Sequence, residues 1–335
     1  MVVLVTGAAG FIGSHVTKIL LSQGHDVRAT ARNSTSAEFL KEFASDSAGS
    51  FEIVEMNLLD AQSVKAAVCG CNIIIHCAAT LPVGAKNAQR DIVDPSVIGV
   101  QNLCSAIDEC QDVETIIHTS SVAAIRNKRA GQGHMYNREE WCDDADLKTN
   151  PYGLAKASAE RHIRDWWNSK AENEKPRLVT IHPSVVWGPI LHERHAQGSM
   201  AYLKHFVSGP PFVLKMHIEA VDVRDVAQAH VNAISKGENG VRHIIHSSGI
   251  WMEEVGVLLN GRMPEKKWAT RQLAKPLAMM LATMHPKLNR RDLARSWGRW
   301  CSFDTQDSEQ QLGIELRDLE QTILDGINSL ISAEL

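Results

Sequence analysis

Several features that would direct this 335-residue chain to a membrane or to nucleic acid are missing. The formal net charge is -4 and no block of Lys or Arg occurs, so no basic surface for nucleic acid or anionic lipid is predicted. The most apolar late stretch, Leu273 to Met284, is interrupted by Lys275 and Pro276 and is too short to span a bilayer. We expect it to form a buried or interfacial helix, and we expect a small-molecule partner, no nucleic acid and no membrane.

Leader and metal-binding patterns are also absent. Met1 to Thr6 form an apolar strand pattern with no basic leader or small-residue cleavage site, which predicts a cytoplasmic protein. The seven cysteines are scattered, and the close pair Cys69 and Cys71 does not form the paired CxxC knuckles of a zinc site. We therefore expect reduced, structural thiols and no metal. The sequence allows a monomer or a homodimer.

The first half of the chain alternates short β-rich runs with longer amphipathic segments. This alternation predicts an α/β fold with a Rossmann-type, doubly wound parallel sheet. Near-continuous apolar runs such as Val2–Val5 and Ile73–Ile75 are typical of strands buried on both faces. We expect residues 1–180 to form this domain, residues 181–335 to form mostly a smaller, mainly helical substrate lobe, and about 215–248 to return to the sheet. The polar, Gly-rich residues Gly131–Asn137 are predicted to be a surface loop beside the active site.

A glycine-rich segment lies between the first predicted strand and the first predicted helix. In TGAAGFIG, Gly7 allows a tight turn, Gly10 allows the backbone to approach a pyrophosphate, and Gly13 allows the helix to pack closely on the strand. Phe11 and Ile12 begin the helix, whose free N–H groups attract phosphate. These residues predict a dinucleotide-binding loop.

The end of the second strand indicates which dinucleotide binds. A carboxylate there would bond the ribose 2′-hydroxyl of NAD, whereas an arginine accommodates the 2′-phosphate of NADP. No carboxylate follows this strand, and Asp26 lies at its opposite end. We expect Arg32 to bind the 2′-phosphate of NADP(H), with Arg28 as a possible assistant; the alternative is that Arg32 is a solvated surface charge.

A phenol and an ammonium group are predicted on one face of a later helix. Asn150 and Pro151 are typical of a helix start, and Tyr152 and Lys156 follow four residues apart. The cation, together with the charge of the cofactor, would lower the pKa of the phenol toward the working range, which suits proton transfer to a carbonyl oxygen. Ser121 follows an apolar strand and places a hydroxyl at the carboxyl edge of the sheet.

With these motifs together, the chain resembles the extended short-chain dehydrogenase/reductases of the NAD-dependent epimerase/dehydratase superfamily. Within them it is most similar to the dihydroflavonol 4-reductase-like branch. The matching stretches are TGAAGFIGSH, VRATAR, IIIHCAAT, HTSSVAA, NPYGLAKASAE, IHPSVVWGP and VDVRDVAQAH. The resemblance implies a catalytic triad of Ser121, Tyr152 and Lys156, in which Tyr152 protonates a carbonyl that receives a hydride from the nicotinamide.

The resemblance also implies further cofactor contacts. Tyr152 and Lys156 would contact the nicotinamide ribose, and the remaining residues would line the cofactor along its length: Asn57 and Leu58 at the adenine, Ala78 and Ala79 beneath the cofactor, and Pro183, Ser184 and Val185 at the nicotinamide. Two positions depart from the family pattern. Asn57 replaces a common Asp, and Ile98 replaces a common Asn, which leaves a proton relay there without a candidate.

The substrate side carries weaker signals. The candidate lining residues, each of which also fits ordinary core packing or a surface position, are Ile125, Arg126, Trp187, His192, Tyr202 and Phe206. No basic cluster suggests the pyrophosphate of a CoA or nucleotide-sugar substrate, although Arg194 alone does not exclude one. His118 is predicted to belong to a strand and His230 to a helix, with no role assigned.

These patterns together predict an NADPH-dependent carbonyl reductase, an oxidoreductase acting on an aldehyde, a ketone or a dihydroflavonol-like substrate. The alternatives are a 3β-hydroxysteroid dehydrogenase-like enzyme, a nucleotide-sugar epimerase or dehydratase that retains NAD, and a non-catalytic NADP-sensing scaffold. Arg32 counts against the epimerase, and the presence of both Tyr152 and Lys156 counts against the scaffold.

Overall fold

A computed structural model describes residues 1–79, 85–127, 131–284 and 290–335. The strands within these ranges are β1 (Val2–Thr6), β2 (Asp26–Ala31), β3 (Phe51–Glu55), β4 (Ile73–His76), β5 (Thr115–Thr119), β6 (Met135–Tyr136), β7 (Arg177–Pro183), β8 (Val185–Trp187), β9 (His217–Asp222), β10 (Arg242–Ile245), β11 (Ser248–Trp251) and β12 (Ser302–Phe303). The α-helices are α1 (Phe11–Ser22), α2 (Lys41–Ala44), α3 (Ala61–Val68), α4 (Asp94–Cys110), α5 (Pro151–Asn168), α6 (Ala201–Val207), α7 (Val223–Ala233), α8 (Met252–Arg262), α9 (Lys275–Met284), α10 (Arg290–Ser296), α11 (Gln306–Leu312) and α12 (Leu319–Ser332).

The centre of the molecule is a parallel sheet with helices on both faces. Seven strands run in the order β10-β7-β5-β4-β1-β2-β3 within the described residues. Val3, Leu4 and Val5 of β1 are each 0 % exposed, because helices cover the sheet on both sides. The predicted Rossmann-type α/β class is confirmed. Since all seven strands are parallel, their carboxyl ends meet at one edge, where open α/β sheets bind ligands.

The chain after β7 builds a second layer and also returns to the central sheet. Strands β8, β9 and β11 form a three-stranded sheet against α6, α8 and α12, with Trp187 and Phe206 in the core. Helix α7 packs on α1, and β10 pairs with β7. The division at about residue 180 remains a proposal.

The cysteine prediction is wrong for one pair. Cys69, which directly follows α3, and Cys110, the last residue of α4, form a disulfide with their Cα atoms 5.0 Å apart. The two helices cross the same face of the sheet and finish side by side, although 41 positions separate the cysteines in sequence. Sequence spacing alone could not reveal this pairing. Cys71, Cys77, Cys104, Cys142 and Cys301 remain thiols.

The prediction for Gly131–Asn137 needs a correction. Met135 and Tyr136 form β6, which pairs in parallel with β12 near the end of the chain. Tyr136 is only 3 % exposed, since Phe303 of β12 stacks on its ring. The segment is therefore partly a strand held by distant sequence. Further along, α9 confirms the predicted helix near Leu273–Met284, and no helix in the described ranges is long and apolar enough to cross a membrane.

Candidate functional site

The glycine loop closes tightly over the ends of β1 and β4. Gly7 has a φ of 65°, in the left-handed region, and a side chain there would lie 2.8 Å from the Cα of Ala78. A Cβ at Gly13 would lie 2.3 Å from the carbonyl oxygen of Gly7. The N–H of Gly10 donates to that same carbonyl at 2.8 Å, and α1 begins at the next residue. This compact cradle before a helix fits a dinucleotide pyrophosphate, because backbone can approach the phosphates closely.

The other predicted cofactor residues surround this loop at the carboxyl edge. Phe11 and Ile12 open α1, and Asn57 and Leu58 follow β3, with the Leu58 carbonyl accepting a 2.7 Å hydrogen bond from Asn102. Ala78 and Ala79 come shortly after β4. Pro183 ends β7, Ser184 follows it, and Val185 begins β8. The structure thus brings the predicted set to one edge.

The end of β2 differs from its predicted environment in two ways. Arg32 is exposed there, but Arg28 points toward the end of α3, where it bonds the carbonyls of Ala67 and Cys69 and pairs with Glu52. Arg28 therefore cannot assist Arg32. In addition, β3 brings Glu55 beside the end of β2, a carboxylate that the local β2 sequence does not show.

Glu55 is held in place by the turn that follows Arg32. Its Oε1 accepts 2.9 Å hydrogen bonds from both the N–H and the hydroxyl of Ser34. These bonds also hold the pKa of Glu55 below its usual value. The carboxylate is thus ionised close to the expected 2′-phosphate position, so the local charge at the end of β2 is not simply positive.

The three predicted catalytic side chains meet at the ends of β5 and the start of α5. Asn150 caps α5 by accepting from the N–H of Gly153 at 3.1 Å, as predicted. The Ser121 hydroxyl accepts a 3.1 Å hydrogen bond from the N–H of Ala123 and lies near enough to the Tyr152 hydroxyl to lower its pKa. One helical turn later, Lys156 donates from Nζ to the carbonyl oxygen of Thr119 at 3.0 Å. A phenol, a hydroxyl and an ammonium group therefore converge beside the glycine-loop edge.

Burial dominates the electrostatics of this cluster. It raises the pKa of Tyr152, and the nearby Ser121 hydroxyl offsets only part of the effect. The predicted lowering of the phenol pKa relies on the charge of the cofactor as well as on Lys156, so it stays a prediction for the cofactor-bound protein. Burial also lowers the pKa of Lys156 to about 8, against the opposing influence of Cys77 and Glu160.

Sequence reasoning missed a buried charge cluster behind the triad. Glu160 lies on α5 one turn after Lys156 and is 0 % exposed. Its Oε2 accepts hydrogen bonds from Ser120 at 2.6 Å and from His182 at 2.7 Å. Its Oε1 accepts from Arg164 at 3.1 Å and from Arg242 at 2.7 Å. The cluster ties β5, α5, β7 and β10 together, and the available signal was the four-residue spacing of Tyr152, Lys156 and Glu160.

The ionisation of Glu160 in this buried charge cluster depends on its pairing with cationic neighbours. Burial opposes ionisation of Glu160, but His182 and Arg242 outweigh it and hold the pKa of the carboxyl well below its usual range. The carboxylate therefore pairs with two arginines, Arg164 and Arg242, whose side chains are only 16 % and 7 % exposed. Removing one partner of such a buried ion pair lowers the free energy of unfolding far more than removing one partner of an exposed ion pair.

Replacing Glu160 with Ala is expected to lower the free energy of unfolding by about 3–5 kcal/mol, since Arg164 and Arg242 would remain buried without their counter-charge. Urea unfolding at neutral pH measures this loss. The matched control is Glu172→Ala. Glu172 pairs with Lys175 at 3.0 Å, and its side chain is 84 % exposed. The control should cost less than about 1 kcal/mol. Equal losses in the two variants would contradict the role of burial.

Most of the predicted substrate-lining residues pack elsewhere. Ile125, Trp187 and Phe206 are 0 %, 0 % and 1 % exposed and fill hydrophobic cores, so they are not available to a ligand. Arg126 retains 39 % of its side-chain surface and lies 3.7 Å from Glu219. Tyr202 contributes to the electrostatic environment of Arg126. These two positions remain candidates on the substrate side.

The expectation for His192 and Arg194 is corrected by their contacts. The ring of His192 lies 4.8 Å from that of Phe39, and Arg194 bonds the carbonyl of Ser36. Both therefore contact the turn that follows Arg32, on the cofactor side. The expected placements of His118 in a strand and His230 in a helix are confirmed, and His230 lies 2.8 Å from the Thr119 hydroxyl.

Comparison with known proteins agrees with this geometry. The model of the NAD dependent epimerase/dehydratase family matches residues 3–246. The chain belongs to this family. It is 30 % identical over 320 residues to cinnamoyl-CoA reductase 1 of Petunia hybrida, covering 93 % of each chain. It is 27 % identical to the NADPH-dependent methylglyoxal reductase GRE2 of Saccharomyces cerevisiae, covering 100 % of this chain and 99 % of the relative.

Solved structures of this family share the fold. The crystal structure of yeast methylglyoxal/isovaleraldehyde reductase Gre2 complexed with NADPH superposes with a TM-score of 0.82 at 23 % identity, covering 100 % and 99 % of the two chains. The predicted resemblance to extended short-chain dehydrogenase/reductases is thereby confirmed.

Proposed function

We propose that this protein is an NADPH-dependent carbonyl reductase with a triad of Ser121, Tyr152 and Lys156. The observation that carries the proposal is the 3.0 Å bond from Lys156 to the carbonyl of Thr119. This bond places Tyr152, one turn earlier on α5, beside the end of β5 where Ser121 lies, at the same edge as the glycine cradle. Its relatives named cinnamoyl-CoA reductase, anthocyanidin reductase and NADPH-dependent methylglyoxal reductase support reduction as the reaction type.

Each triad residue has a distinct task in this proposal. Ser121 donates a hydrogen bond to the substrate carbonyl oxygen, which holds the carbonyl beside the phenol. Tyr152 then transfers its proton to that oxygen as negative charge develops there. Lys156, fixed by the Thr119 carbonyl, stabilises the resulting phenolate with its ammonium charge.

The glycine cradle, Arg32 and the segment Pro183–Val185 are the groups that would hold NADPH. When bound, NADPH supplies the hydride from its nicotinamide C4 to the carbonyl carbon. The raised pKa of Tyr152 suits this direction of reaction, because a phenol that stays protonated can act as the acid.

A second candidate is an epimerase or dehydratase that retains NAD. One observation favours it: Glu55 places a carboxylate beside the end of β2, and carboxylates near this point bind the ribose of NAD. Against it, the Oε1 of Glu55 is already bonded twice by Ser34. The preference for NADPH or NADH therefore separates the two candidates.

The decisive experiment follows the absorbance of NADPH and NADH with purified protein and a panel of aldehydes, ketones, dihydroflavonols and steroids. We expect NADPH-selective oxidation with at least one aldehyde or ketone. Net turnover of neither cofactor, together with interconversion of a nucleotide sugar in the presence of NAD, would favour the epimerase. Tight NADPH binding without turnover of any class would favour the non-catalytic sensor.

A further inference from the structure

A segment from the second half of the chain crosses the cofactor edge and contacts both sides of it. On one side, His195 lies with Nε2 3.1 Å from the carbonyl oxygen of Ala9, inside the glycine loop. On the other side, Arg194 donates from Nη1 to the carbonyl oxygen of Ser36 at 2.6 Å. We call residues 192–195 the strap. Consecutive residues of the strap therefore touch the glycine loop and the turn after β2.

Aromatic packing fixes the strap in this position. The ring of Phe39 lies 4.8 Å from His192 and 5.7 Å from His195, and Phe11 at the start of α1 lies 5.7 Å from His195. His195 is 4 % exposed, so its ring is an anchor within the protein. Arg194, between these two histidines, is exposed. The backbone of residue 194 is thus held while its guanidinium faces solvent at the cofactor edge.

The charge balance at the end of β2 requires another cation for a phosphate. Arg32 contributes one positive charge, but the ionised Glu55 lies beside the same turn through its bonds to Ser34. Glu38 on this turn is already paired with Lys41 at 2.6 Å. The charges of Arg32 and Glu55 offset each other, whereas Arg194 adds a second guanidinium in contact with this turn, next to the carboxylate of Glu193 on the strap. A 2′-phosphate carries up to two negative charges, so this second guanidinium affects its binding.

We infer that Arg194 is a second 2′-phosphate-binding residue, and that the strap closes the cofactor edge specifically over NADPH. The adenosine ribose lies between the glycine loop and the end of β2 in folds of this kind. The strap spans these same two places through His195 and Arg194, and the Arg194 guanidinium keeps further N–H donors beyond the one given to Ser36. A bidentate bond to phosphate is the preferred geometry of such a group. This inference rests on the proposed use of NADPH.

The test measures binding of 2′,5′-ADP and 5′-AMP by calorimetry, because these probes differ only in the 2′-phosphate and require no turnover. Replacing Arg194 with Ala should weaken 2′,5′-ADP binding by about fivefold to tenfold and leave 5′-AMP binding unchanged. Arg194→Lys should recover part of the loss, since it restores the charge without the planar fork. Arg32→Ala gives the reference effect of the predicted 2′-phosphate residue.

The matched control is Arg271→Ala, which removes the same charge from an exposed arginine. The backbone carbonyl of Arg271 accepts a hydrogen bond from the N–H of Val213 in the C-terminal region. It should leave the binding of both probes unchanged. If Arg194→Ala has no effect on 2′,5′-ADP while Arg32→Ala does, the inference fails and the proposed cofactor stands. If the unsubstituted protein binds the two probes equally well, both the inference and the proposed NADPH preference fail.

Discussion

Replacing Tyr152 with Phe should lower kcat/KM for carbonyl reduction by about 10²–10⁴-fold, because the variant keeps the ring but loses the proton donor. The ring volume and the packing of α5 are preserved, so the fold should be retained. NADPH binding should weaken only slightly, since Lys156 keeps its bond to the Thr119 carbonyl. Steady-state NADPH oxidation measures the first effect, and cofactor titration by fluorescence measures the second.

Tyr136 offers a matched control for this substitution. Its hydroxyl donates to the carbonyl of Asn127 at 2.7 Å, and its ring stacks on Phe303, so it is a buried tyrosine with a structural bond. Tyr136→Phe should cost about 1 kcal/mol of stability and change turnover little. Undiminished turnover in Tyr152→Phe would remove the proposed acid, whereas equal losses in both variants would indicate a packing defect.

Acid is expected to unfold this protein cooperatively at a pH above the usual range of carboxyl pKa values. Burial lowers the pKa of His76 to about 3, and it lowers to about 4 the pKa values of His15, His195, His230, His243 and His246. An unfolded histidine binds a proton near pH 6.5. Because the unfolded state then binds more protons than the folded state, stability falls as the pH drops below about 6.5.

The size of the acid effect follows from the number of histidines. Each histidine with a lowered pKa can reduce the free energy of unfolding by up to roughly 3 kcal/mol as the pH falls from 6.5 to 4. The sum over six such histidines exceeds a typical free energy of unfolding of about 5–15 kcal/mol. We expect an unfolding midpoint between about pH 4.5 and 6. Near-ultraviolet circular dichroism along a pH titration measures it. A fold that persists unchanged at pH 4 would contradict this prediction.

A single substitution can separate the contribution of histidine protonation from the other effects of acid on stability. Neither ring nitrogen of His243 has a hydrogen-bond partner in the part of the chain that the structure describes. His243→Leu should therefore keep the buried volume, remove one of the protons taken up on unfolding and shift the acid midpoint downward. An unchanged midpoint would show that His243 does not contribute.

Local motifs predicted much of this architecture, for physical reasons that act over a few residues. The run Val2–Thr6 followed by Gly7, Gly10 and Gly13 predicts a strand, a tight turn and a helix. Glycine is required at Gly7 and Gly13, where a Cβ would meet backbone atoms at 2.8 Å and 2.3 Å. Asn150 and Pro151 likewise predict the start of α5, because a cap and a fixed φ act locally.

Other features depend on strands and helices that are distant in sequence. Glu55 reaches the end of β2 only because β3 pairs with β2, and Arg28 turns toward α3 because of the same sheet. The disulfide between Cys69 and Cys110 requires two helices to end side by side. Local sequence does not encode these distances.

The sequence by itself determined the fold class, the glycine loop and the helix on which Tyr152 and Lys156 share a face, since periodicity and turn chemistry act along the chain. Only the tertiary structure decided which charges are buried together and which segments cross the cofactor edge. Glu160 with its arginines, and Arg194 against Ser36, are contacts of this second kind. The energies of these contacts depend on burial and on long-range pairing. Sequence spacing cannot predict them, because it does not specify which residues become neighbours.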